Sequence, residues 1–197
     1  MNFFTLSALL LLGLQSFALA QTSPTPAQPM ASPGVNMSHS AGRAPAHDDA
    51  QIVAIVKAAN DTEIDAGKLA VKRAKRADVK AFAKEMIQDH SEANRKLAKV
   101  KSLTKMMSRE NETSRGIRKM AAVSAKHLKS VKPADFDREY IDAQLSDHQQ
   151  VLTALNEDLI PHAQNADLKN FLQDAKQMVS GHLEKAKKIQ TAMTSGK

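Results

Sequence analysis

The sequence contains no cysteine and no tryptophan, and its single tyrosine and six phenylalanines bring aromatic residues to only 4 % of the chain. The missing cysteine excludes disulfides, thiolate metal sites, iron–sulfur clusters, a cysteine nucleophile and a lipid-modified cysteine. Any metal must therefore be held by histidine, carboxylate or amide groups. From Asp48 onward there is almost no glycine and no alternating β-branched run, which argues against strands. No glycine-rich phosphate loop, His-Glu-x-x-His or Gly-x-Ser-x-Gly motif occurs, and no serine has an evident base beside it, so nucleophilic hydrolysis has no support. What remains is a chain of 197 residues, 42 % hydrophobic with a mean hydropathy of −0.39. That length suits one globular domain with an appendage, and a composition rich in Ala, Lys, Gln, Asp and Met favours helices.

The appendage is N-terminal. Residues 1–20 carry no charged side chain, run apolar from Leu6 to Leu14 and end Ala18-Leu19-Ala20, the pattern of a secretory signal cleaved after Ala20. The apolar run is shorter than the roughly 20 residues that span a bilayer. The mature protein is thus expected to be periplasmic or secreted. Residues 21–47 hold Pro24, Pro26, Pro29, Pro33 and Pro45 among Ala, Ser, Thr and Gly, and read as a disordered linker. His39 and His47 fall in this stretch and are taken as incidental. Residues 48–197 form the folded domain.

Within that domain the apolar residues repeat at helical spacing. A first stripe runs Ile52, Val56, Ala59, Glu63, Ala66, Ala70. A second, out of phase with it, runs Val79, Phe82, Met86, His90, Ala93, Leu97, Val100. The phase break near Arg76 and Ala77, with Asp78 as expected N-cap, predicts a tight turn between antiparallel helices. A third helix is expected from Ala134 or Asp135 to Pro161, with Ile141, Gln144, His148, Val151, Leu155 and Leu159 on one side. A fourth, from about Asn165 to Met193, carries Leu168, Phe171, Ala175, Met178, His182, Ala186, Ile189 and Met193. In the long connection Ser102–Lys132, Ile117, Met120, Val123 and Leu128 mark an additional short helix. Two short-turn hairpins joined by one long crossover give an all-α, ferritin-like four-helix bundle. A faint echo offset by 58 residues relates Phe82…Leu97 to Tyr140…Leu155, both with Asp-His between.

Each stripe contains one metal-competent side chain. A turn centred near residue 76.5 leaves Glu63 and His90 each about 13.5 residues away, and His148 and His182 each lie about 17 residues from 165, so both pairs are expected to be level. One mid-bundle layer of Glu63, His90, His148 and His182 could hold a single Fe, Mn, Zn or Cu ion. The alternative is a metal-free hydrogen-bonded layer that fixes helix register. A di-iron site is not expected, because it needs a glutamate three residues before a histidine on two helices, and Ile87 and Leu145 stand at those positions. Asp89 and Asp147 each neighbour a seam histidine but point about 100° away, and are expected at the boundary of the core.

The net charge is +7, and all basic residues except Arg43 belong to the helical region. Lys68, Lys72, Arg73, Lys75, Arg76 and Lys80 cluster about the first turn, and Lys185, Lys187 and Lys188 lie near the end. Aromatics are not interleaved with these cations, so nucleic acid is not an expected partner. Weak attraction to an anionic envelope surface is.

Several stretches taken together resemble a known family: Val79-Lys80-Ala81-Phe82-Ala83 followed by Met86-Ile87-Gln88-Asp89-His90-Ser91, the upstream Glu63…Gly67-Lys68-Leu69-Ala70, then Phe136-Asp137-Arg138-Glu139-Tyr140…Asp147-His148 and His182-Leu183. This set is similar to the family called domain of unknown function 4142, over about residues 50–190. The resemblance implies a secreted or periplasmic bacterial protein of ferritin-like fold, in which Glu63, His90, His148 and His182 match recurrent polar positions, and it implies no activity. The leading expectation is a non-enzymatic extracytoplasmic bundle, serving the envelope under stress, whose polar layer either fixes register without metal or could hold one metal ion. The rivals are a metal-dependent redox enzyme using the same residues, and an adaptor, which predicts an exposed apolar patch along 117–128.

Overall fold

The computed structural model describes residues 47–195; the signal and nearly all of the linker lie outside the described residues. Five long helices account for the domain, and no strand occurs among the described residues. They are α1 Asp49–Arg73, α2 Ala77–Thr104, α3 Glu112–Ser130, α4 Phe136–Ala154 and α5 Ala166–Thr194. Helix α4 is prolonged by a π-helical turn, Leu155–Leu159, and a last α turn, Ile160–His162. The wide turn precedes Pro161, which has no N–H to donate and whose ring crowds the carbonyl four residues back. No described helix is long and apolar enough to cross a membrane.

Helices α1 and α2 pack along their length, as do α4 and α5; α2 lies against α5, and α3 lies against α1. Contacts at the two ends fix the direction of each helix. At one end the start of α1 meets the segment leaving α2, through Arg109 N–H donating to the Ala50 carbonyl and an Arg109–Asp48 ion pair. At the other, the Arg73 guanidinium donates to the carbonyls of Leu128, Lys129 and Val131, closing the last turn of α3, and stacks 4.8 Å from the Phe136 ring. Helix α3 therefore runs the length of the bundle beside α1 and returns the chain to the start of α4. This is the connectivity of ferritin-like bundles.

The turn of each hairpin is capped by an aspartate from the other. Asp137 accepts from the backbone N–H groups of Lys75 and Arg76 at 2.8–3.1 Å, and Asp49 accepts from those of Gln164 and Asn165 at 2.8 and 2.9 Å. Asp78, expected as the N-cap of α2, lies inside its first turn instead: Arg76 is the cap residue, Asp78 pairs with its guanidinium, and Asp137 satisfies the turn. The crossover helix is longer than its apolar residues indicate, because Asn111 and Ser114 form a reciprocal cap ahead of Ile117, over a polar stretch that periodicity does not mark. Ile117 and Leu128 are buried in the core and Val123 is left 46 % exposed, so the residues that would have made an adaptor's patch mostly cover α1. His47, read as part of the linker, is held by Asp158 at 2.7 Å and Thr113 at 3.1 Å.

The apolar core is in two halves. Ile52, Val56, Leu97, Leu155, Leu168 and Phe171 belong to the half near the start of α1. Ala70, Phe82, Met86, Phe136, Tyr140 and Ile189 belong to the half near its end. Buried polar residues sit between: Asn60, Glu63, His90, Gln144, His148 and His182.

Candidate metal centre

Helices α2, α4 and α5 each deliver one histidine to this belt. On α2 the stripe from Val79 to Leu97 is buried throughout, which carries His90 into the axis; Tyr140, Gln144 and His148 do the same on α4, and His182 lies between buried Val179 and Ala186 on α5. The three imidazoles are 2–4 % exposed. Their ring centroids are 6.1 Å apart for His90–His148, 5.4 Å for His90–His182 and 5.5 Å for His148–His182. One ring nitrogen of each lies within 4.8 Å of those of the other two. The 58-residue echo is a register match across the bundle, since Phe82 meets Tyr140 at 6.4 Å and His90 meets His148, and Leu97 and Leu155 share a core half.

Hydrogen bonds fix the tautomer of every ring. Asp61 accepts from Asn94 Nδ2 at 3.0 Å, which turns Asn94 Oδ1 toward Asn60 Nδ2, also at 3.0 Å. Asn60 Oδ1 is thereby left to accept from His90 Nδ1 at 2.9 Å. His148 Nδ1 donates to the Gln144 carbonyl at 2.9 Å, which can only accept. His182 Nε2 donates to Asp89 at 3.0 Å. Each neutral ring then keeps a lone pair on its other nitrogen: His90 Nε2, His148 Nε2 and His182 Nδ1. Those three atoms are fully buried and find no hydrogen-bond partner among the described residues. Burial, then the charges His148 and His182 would carry, hold His90 well below the ordinary histidine range, and burial followed by His182 pushes His148 down to about 3. Both are neutral near pH 7 and available as ligands.

Glu63 is in the belt but not in this cluster. Its carboxylate accepts from Gln144 Nε2 at 2.8 Å, and the reason is the position of the turn. With α1 ending at Arg73 and α2 starting at Ala77, the hairpin is symmetric about residue 75, not 76.5, which sets Asn60 level with His90 and moves Glu63 one turn away. Burial raises the Glu63 pKa against the lowering effect of that hydrogen bond. Asp147, on the same side and partly buried, is pushed up to about 7 by burial and then by Glu63. Tyr140 is raised as well, by burial first and Glu63 second. Asn60, Asp89 and Gln144 are the residues whose roles periodicity did not reveal. A stripe gives the face a residue occupies but not the atom it bonds; Gln144 stands on the stripe of α4, whereas Asn60 lies beside the stripe Ile52, Val56, Ala59, Glu63 and carries no periodic signal of its own.

Three imidazoles whose outer nitrogens donate to an amide oxygen, a backbone carbonyl and a carboxylate are arranged as metal-bound histidines are, with the second nitrogen fixing tautomer and orientation. The donor set fits a divalent first-row ion. Comparison with curated proteins and with solved structures gave no match. The sequence profile of the domain of unknown function DUF4142 matches residues 35–189, and the chain belongs to that family.

Proposed function

We propose that this chain is an extracytoplasmic helical bundle that holds one divalent metal ion on His90, His148 and His182. The observation that carries this reading is the set of three buried lone pairs. A register layer would spend its polar atoms on one another, and here no ring bonds another ring or Glu63. Each buried acceptor left unmade costs about 1–3 kcal/mol. A single water, with two protons, can satisfy only two of three acceptors. A cation satisfies all three. Nitrogen ligands without an oxygen favour Zn, Cu or Fe over Mn, and the three imidazoles leave a fourth position open.

Phe82 and Met86 on one side and Leu97 and Leu155 on the other wall the centre with apolar layers, which supports an ion held in place over one turned over with a substrate. The uncharged, apolar residues 1–20 support export. Exposed Lys72, Lys75, Lys80, Lys129 and Lys132 gather at the end of the bundle where α1 meets α2, and support weak attraction to an anionic envelope. Equilibrium dialysis of the folded chain against Zn²⁺ and Cu²⁺ tests the metal claim: one ion per chain is expected, with binding lost in His148→Ala. A folded wild type that retains no ion refutes it.

A further inference from the structure

Helix α2 presents Glu85, Asp89 and Glu92 at successive turns on the side that faces α5, and this acidic line meets the one metal-competent histidine of α5. Glu85, Asp89 and His182 each offer a ligand atom within 4.8 Å of the other two. Their burial is graded: His182 is buried, whereas the side chains of Asp89 and Glu85 are each 33 % exposed. An open cleft of about 210 Å³ between α2 and α5 reaches Asp89, with Glu92, Asp174 and Lys96 on its walls and Phe171 and Met178 at its sides. His182 belongs to both groups. One of its nitrogens donates to Asp89, while the other is buried and without a partner among the described residues.

We propose that the carboxylates of Glu85 and Asp89, with His182 behind them, form an outer cation subsite through which the three-histidine centre is loaded. This rests on the metal reading above. The apolar layers close the bundle axis to a hydrated ion, so the ion must come from the side, and this is the side where carboxylates and an open cleft lie beside one of the three ligands. Carboxylates take a hydrated dication readily because they are hard, charged oxygen donors, and the imidazoles then replace its water with nitrogen. The cleft carries the carboxylates of Asp89, Glu92 and Asp174 against the single ammonium of Lys96, and an excess of one charge raises the on-rate of the opposite charge. Lys185 pairs with Glu85, so its ammonium competes with the arriving ion.

The test separates rate from equilibrium. Co²⁺ is mixed with the full folded chain, and development of the visible Co²⁺ absorption is followed by stopped flow, with bound Co²⁺ measured at the end point. Removing Glu85 as Glu85→Gln is expected to slow loading about tenfold, the lower end of what complementary charge contributes to an on-rate. The end-point spectrum belongs to the three histidines and is expected to stay as in the wild type. Lys185→Gln, which removes the competing ammonium, is expected to load faster than the wild type. If Glu85→Gln loads at the wild-type rate, the outer subsite is wrong and the three-histidine centre stands. If the wild type develops no Co²⁺ absorption and binds none, the centre itself is wrong and the subsite falls with it.

Discussion

At the scale of single residues, the behaviour of the belt depends on which partner each polar atom finds. Asn60 takes its orientation from Asn94 and Asp61, so the lone pair of His90 is set by a chain of amides that ends at a surface ion pair with Lys57. Asp147 is the opposite case, a carboxyl pushed up to about 7 by burial and Glu63. Because its folded pKa is raised, the folded state binds its proton more tightly than the unfolded chain, and the residue costs stability increasingly as pH rises from about 4 through 7. Asp147→Asn is therefore expected to stabilise the protein at pH 8 by on the order of 2 kcal/mol, with the gain gone at pH 4. Urea unfolding at the two pH values measures this, and an equal effect at both would show that Asp147 is not held protonated. The three histidines were legible in the sequence because a periodic stripe reports its face faithfully. Glu63 was misplaced by one turn because the pairing of two antiparallel helices moves by twice any error in the centre of their turn.

At the scale of elements, the hairpins are set by close approach and by each other's first turns. Gly67 on α1 faces α2 so closely that a Cβ there would meet Ile87 Cγ1 at 2.8 Å and the Ala83 carbonyl oxygen at 2.9 Å. The Ile87 side chain can turn aside, but the backbone carbonyl cannot move without shifting the helix. Gly67→Ala is expected to cost about 1–3 kcal/mol despite the higher helix propensity of alanine, and to lower Tm by about 3–10 °C. An unchanged Tm in a thermal scan would mean that α1 and α2 stand further apart. Apolar periodicity located α1, α2, α4 and α5 to within a few residues, since each buries a full stripe. It left α3 short, because the first turn of α3 is stabilised by the Asn111–Ser114 cap and not by burial. The aspartates at 49 and 137 could not be assigned to the opposite hairpins, because a bond between residues so far apart in the chain leaves no local pattern.

At the scale of the whole molecule, the buried histidines link stability to pH, and the proposed centre would link it to metal. His90 and His148 are held neutral in the folded chain, so the unfolded chain binds more protons below its histidine pKa of about 6.5; their contribution is complete above that pH and is lost as pH falls below it. The raised carboxyls of Glu63 and Asp147 act in the other sense and flatten the loss between about pH 4 and 6. A bound ion would add to this stability, because only the folded chain gathers the three neutral nitrogens that hold it. At pH 7.5, Zn²⁺ at a hundred times its Kd is expected to add about 2.7 kcal/mol and raise Tm by about 5–10 °C. The shift should be absent in His148→Ala, and a shift that persists in that variant would place the ion elsewhere. The central claim is tested most directly by elemental analysis of the mature protein, purified without an affinity tag from the compartment where it resides, beside a His90→Ala, His148→Ala double variant. The account predicts close to one Zn, Cu or Fe per wild-type chain and none in the variant. A folded wild type that carries no metal and takes up none on titration would contradict it.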